Sequence, residues 1–305
     1  MKRRKKLIAY LGAYLFLLPN FIGFVCFTIG PTIASLVLAF TDWDLLTPIK
    51  FIGFSNFTKL LGFYHTAAGL VPNDPGFWYF LWNTAFFMFF IPASMCLSLL
   101  IALLYNQKLR GIVIYRTIFF LPSVCSGVAL ALLWRWLYNP DFGLINIFLG
   151  NIGIKGPLWL SSIMWAKPAI ALMGLWAGMG GFNAILYLAA LQGVPRELYE
   201  AADIDGASAW QKFRYITLPA ITPTTFFITV MSVISGFQGG FMSAYIMTGG
   251  GPAGATTTIS YYIYNNAYQW FKMGYASSIA WVLFVLIFGM TMLNWKYGGK
   301  RVKYV

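Results

Sequence analysis

Apolar residues run along this chain in long blocks, not with the short periods of a soluble helix or strand. Six blocks, at 10–40, 78–105, 112–138, 162–191, 219–247 and 275–295, each supply the roughly 20 apolar residues that a membrane-spanning helix needs. The pattern predicts an all-α integral membrane protein with six transmembrane helices. Before the first block stand Lys2, Arg3, Arg4, Lys5 and Lys6, as in a signal peptide. The apolar run that follows is far longer than a signal core, however, and no small-residue cleavage site succeeds it. It is expected to be a retained helix, bent near Pro19 or Gly30-Pro31. Two shorter segments, 142–149 and 259–270, predict short interfacial helices or elements packed over the outer mouth. No internal repeat or linker breaks the pattern, so residues 1–305 are expected to form one transmembrane domain with its core at 78–296.

Composition narrows the class. Of 305 residues, 59% are hydrophobic and 10% charged, against roughly 25% charged in an ordinary soluble domain. The net charge of +13 would raise nucleic acid as a partner in a soluble protein. Here the basic residues lie in short patches between apolar blocks, where they are expected to set orientation and not to bind nucleic acid. The N-terminus, the 106–111 turn with Arg116, the 192–219 loop and the tail after Trp295 hold 15 Lys and Arg, and the opposite side holds 6. Positive residues stay inside, so both termini are expected in the cytoplasm. Trp43, Trp78, Trp136, Trp159 and Trp270 fall at the outer ends, the level that amphipathic rings favour.

The candidate chemistry is sparse. Asp42, Asp44, Asp74 and Asp141 are placed outside, and Glu197, Glu200, Asp203 and Asp205 share the cytoplasmic loop. Because carboxylates at membrane depth mark ion and proton pathways, their absence from the blocks argues against proton-coupled transport. His65, the single histidine, falls in an outer loop, where it reads as a solvated residue. Cys26, Cys96 and Cys125 lack metal or redox spacing and read as small buried hydrophobes. No catalytic set, metal cluster or cofactor motif is visible. No lysine is followed by Ser or Thr, so there is no phosphate-binding P-loop, and any ATP must be hydrolysed by another subunit.

The loop at 192–219 carries the most specific signal. It reads as two short helices around a turn: Pro195 suits a first helical position, Glu197 and Glu200 favour a positive helix start, Gly206 supplies the turn, and Ser208 caps a second helix with Trp210, Phe213 and Tyr215. Leu198, Tyr199, Ala201, Ala202 and Ile204 give it an apolar side, and the Ala pair admits close approach by another surface. Composition alone favours a connector packed on its own spans.

Glu200-Ala201-Ala202, three residues, Gly206, nine residues, Ile216, one residue and Leu218-Pro219 match without departure the EAA motif of ABC-importer permeases. With Asp205-Gly206-Ala207, Trp210, Phe213, Pro223 and Thr248-Gly249-Gly250-Gly251-Pro252, the chain resembles the carbohydrate-importer branch. That resemblance implies a type I importer permease: a multi-pass subunit of a bacterial or archaeal plasma membrane that moves a sugar or sugar-like solute. Its implied partners are a second permease in a heterodimer, two ATP-binding-cassette ATPase subunits and an extracytoplasmic solute-binding protein. It further implies that 200–206 is a coupling helix seated on the ATPase, with Glu197, Glu200, Ala201, Ala202, Asp205, Gly206, Trp210, Leu218 and Pro219 as coupling residues. A glycerol-phosphate-type solute or an osmolyte is the alternative cargo, and a stand-alone ion-coupled transporter is the alternative class.

The fourth and fifth blocks have unusual interiors. Gly174, Gly178, Gly180 and Gly181 loosen one, while Ser232, Ser235, Gly236, Gly239 and Gly240 interrupt the other. Broken helices in transporters mark binding sites, and sugars call for amides and aromatic faces. Trp176, Asn183, Phe237 and Gln238 are therefore the candidate pathway residues. Plain helix packing through small residues explains the same pattern.

Overall fold

The computed structural model of the chain describes residues 2–67, 69–107 and 110–299, with side chains from residue 10 onward. Of the basic residues used for orientation, the side chains of Lys2, Arg3, Arg4, Lys5 and Lys6, together with Lys108, Lys300, Arg301 and Lys303, lie outside the described residues. Five helical spans are long and apolar enough to cross a bilayer: Tyr10–Leu38, Pro75–Tyr105, Ile163–Gln192, Thr222–Thr248 and Met273–Gly298. They coincide with five of the six apolar blocks.

The block at 112–138 departs from a single straight helix. It forms two helices, Ile112–Val124 and Gly127–Leu137, that meet at 100°; taken together they make the sixth, broken span. The cause is local. Pro122 has no amide hydrogen to donate within the last turn, and Cys125 and Ser126 are both extended, each with ψ of 144°. Ser126 then starts a new helix by accepting the Ala129 N–H at 3.2 Å, an N-cap of about 1 kcal/mol.

The chain divides into two compact units, residues 1–74 with 263–282, and residues 75–262 with 283–305. In the first unit, the 2–38 helix widens into a π turn at Val25–Ile29. There the Gly30 N–H reaches back to the Val25 carbonyl. Pro31, one residue on, has no donor for a regular turn, and the wider turn absorbs the defect. Pro19 sits within regular helix, so the expected disturbance falls at the Gly30-Pro31 end. Asn56, buried, donates to the carbonyls of Ala39 and Thr41 at 3.0 and 2.9 Å. His65 lies exposed in the hairpin of Phe63–Thr66 with Gly69–Pro72, opposite Leu70, so it occupies a strand and not a loop. Tyr275 donates to Asp74.

The second unit holds the pathway helices. Tyr187, Leu191, Ile221 and Ile228 pack with Ala102 in one buried cluster, and Trp134, Tyr138, Ile170 and Met247 in another. The second span is offset at Phe89 and Phe90, ahead of Pro92, and the fourth breaks at Gly180 and Gly181. A Cβ on Gly180 would stand 2.3 Å from the Phe119 carbonyl oxygen, so only glycine permits this approach. The fifth breaks at Gly239, which is extended, and Gly240, at φ +82°.

Cys26, Cys96 and Cys125 are exposed on the chain, which corrects the expectation that they are buried. In a bilayer nothing drives apolar surface inward, because lipid tails are as apolar as the core. Small hydrophobes therefore face outward as readily as inward.

Candidate functional site

The cytoplasmic loop forms a built elbow. Its first helix is Arg196–Ile204, N-capped by Pro195 at ψ 133°; Pro195 thus stands one position before the first helical residue expected for it. The helix ends in a Schellman motif: the Gly206 N–H donates to the Asp203 carbonyl at 3.1 Å and the Ala207 N–H to the Ala202 carbonyl at 2.8 Å. That closure needs a left-handed residue after the C-cap, and Gly206 sits at φ +73°. Ser208 opens the next helix, Ala209–Lys212, with a capping box: its own N–H donates to Gln211 Oε1 at 2.7 Å, and the Gln211 N–H donates to Ser208 Oγ at 3.4 Å.

Two side-chain braces hold the elbow to the chain that re-enters the membrane. Lys212 Nζ pairs with Asp203 at 2.5 Å, an exposed pair of about 0.2–1 kcal/mol. The Tyr199 hydroxyl and Thr217 Oγ1 are 2.9 Å apart, and Thr217 is buried. The chain runs from Lys212 through a π turn at Phe213–Thr217 and then Leu218–Ala220 into the fifth span. The first helix is thus joined to the chain leading into that span by two side-chain contacts as well as by the backbone.

The face left outward is apolar. Ile204 is 88% exposed, Trp210 69% and Tyr215 75%, and Glu197, Glu200, Ala201, Asp205 and Gly206 are exposed while Ala202, Leu218 and Pro219 are half-buried. Trp210 is steadied by the Phe213 ring, 5.5 Å away between centroids. These residues lie outside the candidate spans, among the exposed charges of the same loop; exposed apolar surface rimmed by polar residues marks an interaction site.

The candidate pathway residues scatter. Phe237 is buried on the wall of a cavity of about 730 Å³, shared with Met95, Tyr187, Thr225, Thr229 and Val233. Gln238 is exposed at the end of its helix, and its carbonyl accepts from Ser260 Oγ at 2.9 Å. Trp176 packs edge-on against Trp134, 5.5 Å away. Asn183 is half-buried in the turn after Gly181. A second cavity, of about 230 Å³, opens beside the offset in the second span and the break in the fifth, with Ser94, Gly174, Gly240 and Ser243 on its wall. Sequence reasoning missed Ser94, Thr225, Thr229 and Ser243; the spacing of Thr225 and Thr229, four apart on one helix face, was the available signal.

It also missed Asn83 and Thr84, both fully buried in the second span. The Asn83 amide donates to the Gly254 and Thr257 carbonyls, both at 2.9 Å, and Thr84 Oγ1 accepts the Ile259 N–H at 2.9 Å. They pin the glycine-rich loop that follows Thr248, where Gly249, Gly250 and Gly254 all have positive φ. Among the described residues, no three His, Cys, Asp or Glu side chains come together as a metal site.

The family model described as "Binding-protein-dependent transport system inner membrane component" matches residues 94–295. The chain is 38% identical over 299 residues to the probable ABC transporter permease protein YesP of Bacillus subtilis strain 168, covering 96% of this chain and 92% of that one. It is 36% identical to the lactose transport system permease protein LacF of Rhizobium radiobacter, covering 95% of each. Among solved structures, a chain of a bacterial ABC transporter that imports the acidic polysaccharide alginate superposes with a TM-score of 0.85 at 26% identity, over 99% of this chain and 100% of that one.

Proposed function

The chain belongs to the family of binding-protein-dependent transport system inner membrane components, and from that premise we propose that it carries a sugar or sugar-like solute through the plasma membrane as one permease subunit of an ABC importer. Its partners are a second permease, a pair of ATP-binding-cassette ATPase subunits and an extracytoplasmic solute-binding protein. The chain works as one permease domain and hydrolyses nothing itself.

The observation that carries the mechanism is the exposed elbow. Its first helix, Arg196–Ile204, ends in the closed Gly206 turn and is braced to the root of the fifth span by Asp203–Lys212 and Tyr199–Thr217. Glu197, Glu200, Ala201, Ala202, Asp205, Gly206 and Trp210 form or shape the surface that seats in the ATPase, with Leu198 and Ile204 as apolar contacts. Leu218 and Pro219 pass the motion into the membrane. When the ATPase pair closes on nucleotide, the elbow moves as a short lever. The fourth and fifth spans, already broken at Gly180-Gly181 and Gly239-Gly240, rearrange around the cavities they line. Trp176, Asn183, Phe237 and Gln238 serve the solute on that route.

Transport by the reconstituted complex tests this reading. Uptake is expected to require ATP on the elbow side and binding protein on the other. Ala201→Trp places a large ring on an exposed position, so the spans fold while docking fails: ATPase subunits wash off and uptake is lost. Uptake by this chain alone under an ion gradient would overturn the reading, as would full coupling in Ala201→Trp.

A further inference from the structure

A third cavity, of about 380 Å³, lies at the elbow-side end of the second span, far in sequence from both the elbow and the pathway residues. Its wall is apolar at Ile101, Leu104, Ile112 and Phe119, and its rim carries Tyr105 and Arg110. Tyr105 is 3% exposed, yet its hydroxyl has no hydrogen-bond partner, and the buried Nε of the nearby Arg116 has none either. Arg116 is held in place by donating through Nη2 to the Tyr105 carbonyl. Among the described residues, neither guanidinium has a carboxylate within ion-pair reach, and no acidic residue occurs between Asp74 and Asp141.

Unpaired buried donors are costly, and a cation lining an apolar slot, with a second held against the Tyr105 backbone beside it, asks for an anion with a hydrocarbon tail. Free phosphate would satisfy the donors but leave the apolar wall wet. A neutral lipid would fill the wall but leave the donors unpaired. Both ends are met by an amphiphile, and basic pockets between spans on the cytoplasmic side bind anionic headgroups. We infer that this cavity holds an anionic phospholipid of the inner leaflet. Its phosphate lies against Tyr105 and Arg110, with Arg116 behind, and one acyl chain runs along Ile101, Leu104 and Phe119. The occupant would fasten the end of the second span to the start of the third, at Ile112 and Phe119.

Native mass spectrometry of the whole importer tests this, after equilibration with equal phosphatidylglycerol and phosphatidylcholine followed by progressive stripping. The unmodified complex should keep one phosphatidylglycerol per copy of this chain. Arg110→Gln should lower that retention about fivefold, the equivalent of about 1 kcal/mol for one basic residue. Tyr105→Phe, which keeps the ring and its packing, should lower it without disturbing assembly, so the test survives poor folding of the arginine variant. Lys296→Gln, on the same side but away from the cavity, should leave it unchanged. Equal retention of the two lipids would overturn the inference, as would unchanged retention in both cavity variants or displacement of the lipid by millimolar inorganic phosphate. Lipid retention is read without transport, so its failure leaves the importer reading standing.

Discussion

Gly206 isolates the elbow's backbone from its side-chain contacts. It sits at φ +73°, and no heavy atom lies within 4 Å of where a Cβ would stand. Gly206→Ala therefore adds no clash inside the chain and acts through conformation alone. An L-residue with a Cβ costs roughly 1–2 kcal/mol in the left-handed region, which shifts the closed turn roughly 5–30-fold toward open forms. The Ala207–Ala202 and Gly206–Asp203 hydrogen bonds then loosen, and the helix no longer points at its partner. Asparagine visits the left-handed region more readily than alanine, so Gly206→Asn should recover most of the loss. The assay is retention of ATPase subunits on the purified permease pair, together with solute moved per ATP hydrolysed in proteoliposomes. Alanine is expected to lower both several-fold, with asparagine in between and the melting of the membrane spans unchanged. If asparagine is as harmful as alanine, side-chain bulk against the partner and not turn geometry governs the site. If both variants match the glycine chain, the turn does not set the coupling geometry.

The remaining expectations are narrower. Asn83→Leu removes the amide donor that joins the second span to the Gly254 and Thr257 carbonyls, at about 1–3 kcal/mol for the lost buried hydrogen bonding; thermal unfolding of the complex should show a clear loss of stability, and an unchanged midpoint would contradict the pinning role. Gly180→Ala drives a Cβ to 2.3 Å from the Phe119 carbonyl oxygen, an overpacking cost of about 1–3 kcal/mol that should appear as reduced folded yield by size-exclusion chromatography. Asp203→Asn removes an exposed ion pair worth no more than about 1 kcal/mol, so ATPase retention should change less than it does in Gly206→Ala. Asp44 is held below its ordinary value of 3.8 chiefly by the Thr47 N–H, then by the Thr47 hydroxyl and the Leu46 N–H. A depressed carboxylate stabilises its turn above the unfolded value and loses that contribution as pH falls through the folded one. Protection of the Leu46 and Thr47 amides, the exchange rate taken relative to the intrinsic rate at each pH, should therefore be flat from neutrality down to about pH 4 and fall only in stronger acid.

Features set by runs of neighbouring residues are legible in the amino-acid sequence. Long apolar blocks, tens of residues each, define spans whatever the tertiary contacts, because lipid admits only internally bonded backbone. The elbow is legible for the same reason: Gly206, Ser208 and Gln211 act within a few residues of one another, and turn and cap follow from local chemistry. The 100° break at Cys125-Ser126 is harder, since Pro122 inside an apolar run is compatible with a gentle kink as well as with a sharp corner. Asn83 and Thr84 are invisible to sequence reading because their partners lie more than 170 residues away. The cavity at Tyr105 is equally hidden because it joins the end of one span to the start of the next around a basic turn. The outward cysteines break a rule learned in water that has no force in lipid. For the pathway, glycine breaks locate the interrupted regions correctly in chain position. Which polar side chains face the cavities depends on helix rotation, which apolar-rich sequences encode weakly.

Seating of the Arg196–Ile204 helix on an ATPase subunit is what every step of coupling depends on. A photo-crosslinking residue in place of Ile204, the most exposed of the elbow's apolar side chains, tests it in the assembled importer. One dominant adduct is expected, with the mass of this chain plus one ATPase subunit and a yield that changes between nucleotide-free and ATP-bound states. Adducts confined to lipid or to the chain itself, with no nucleotide dependence, would contradict it.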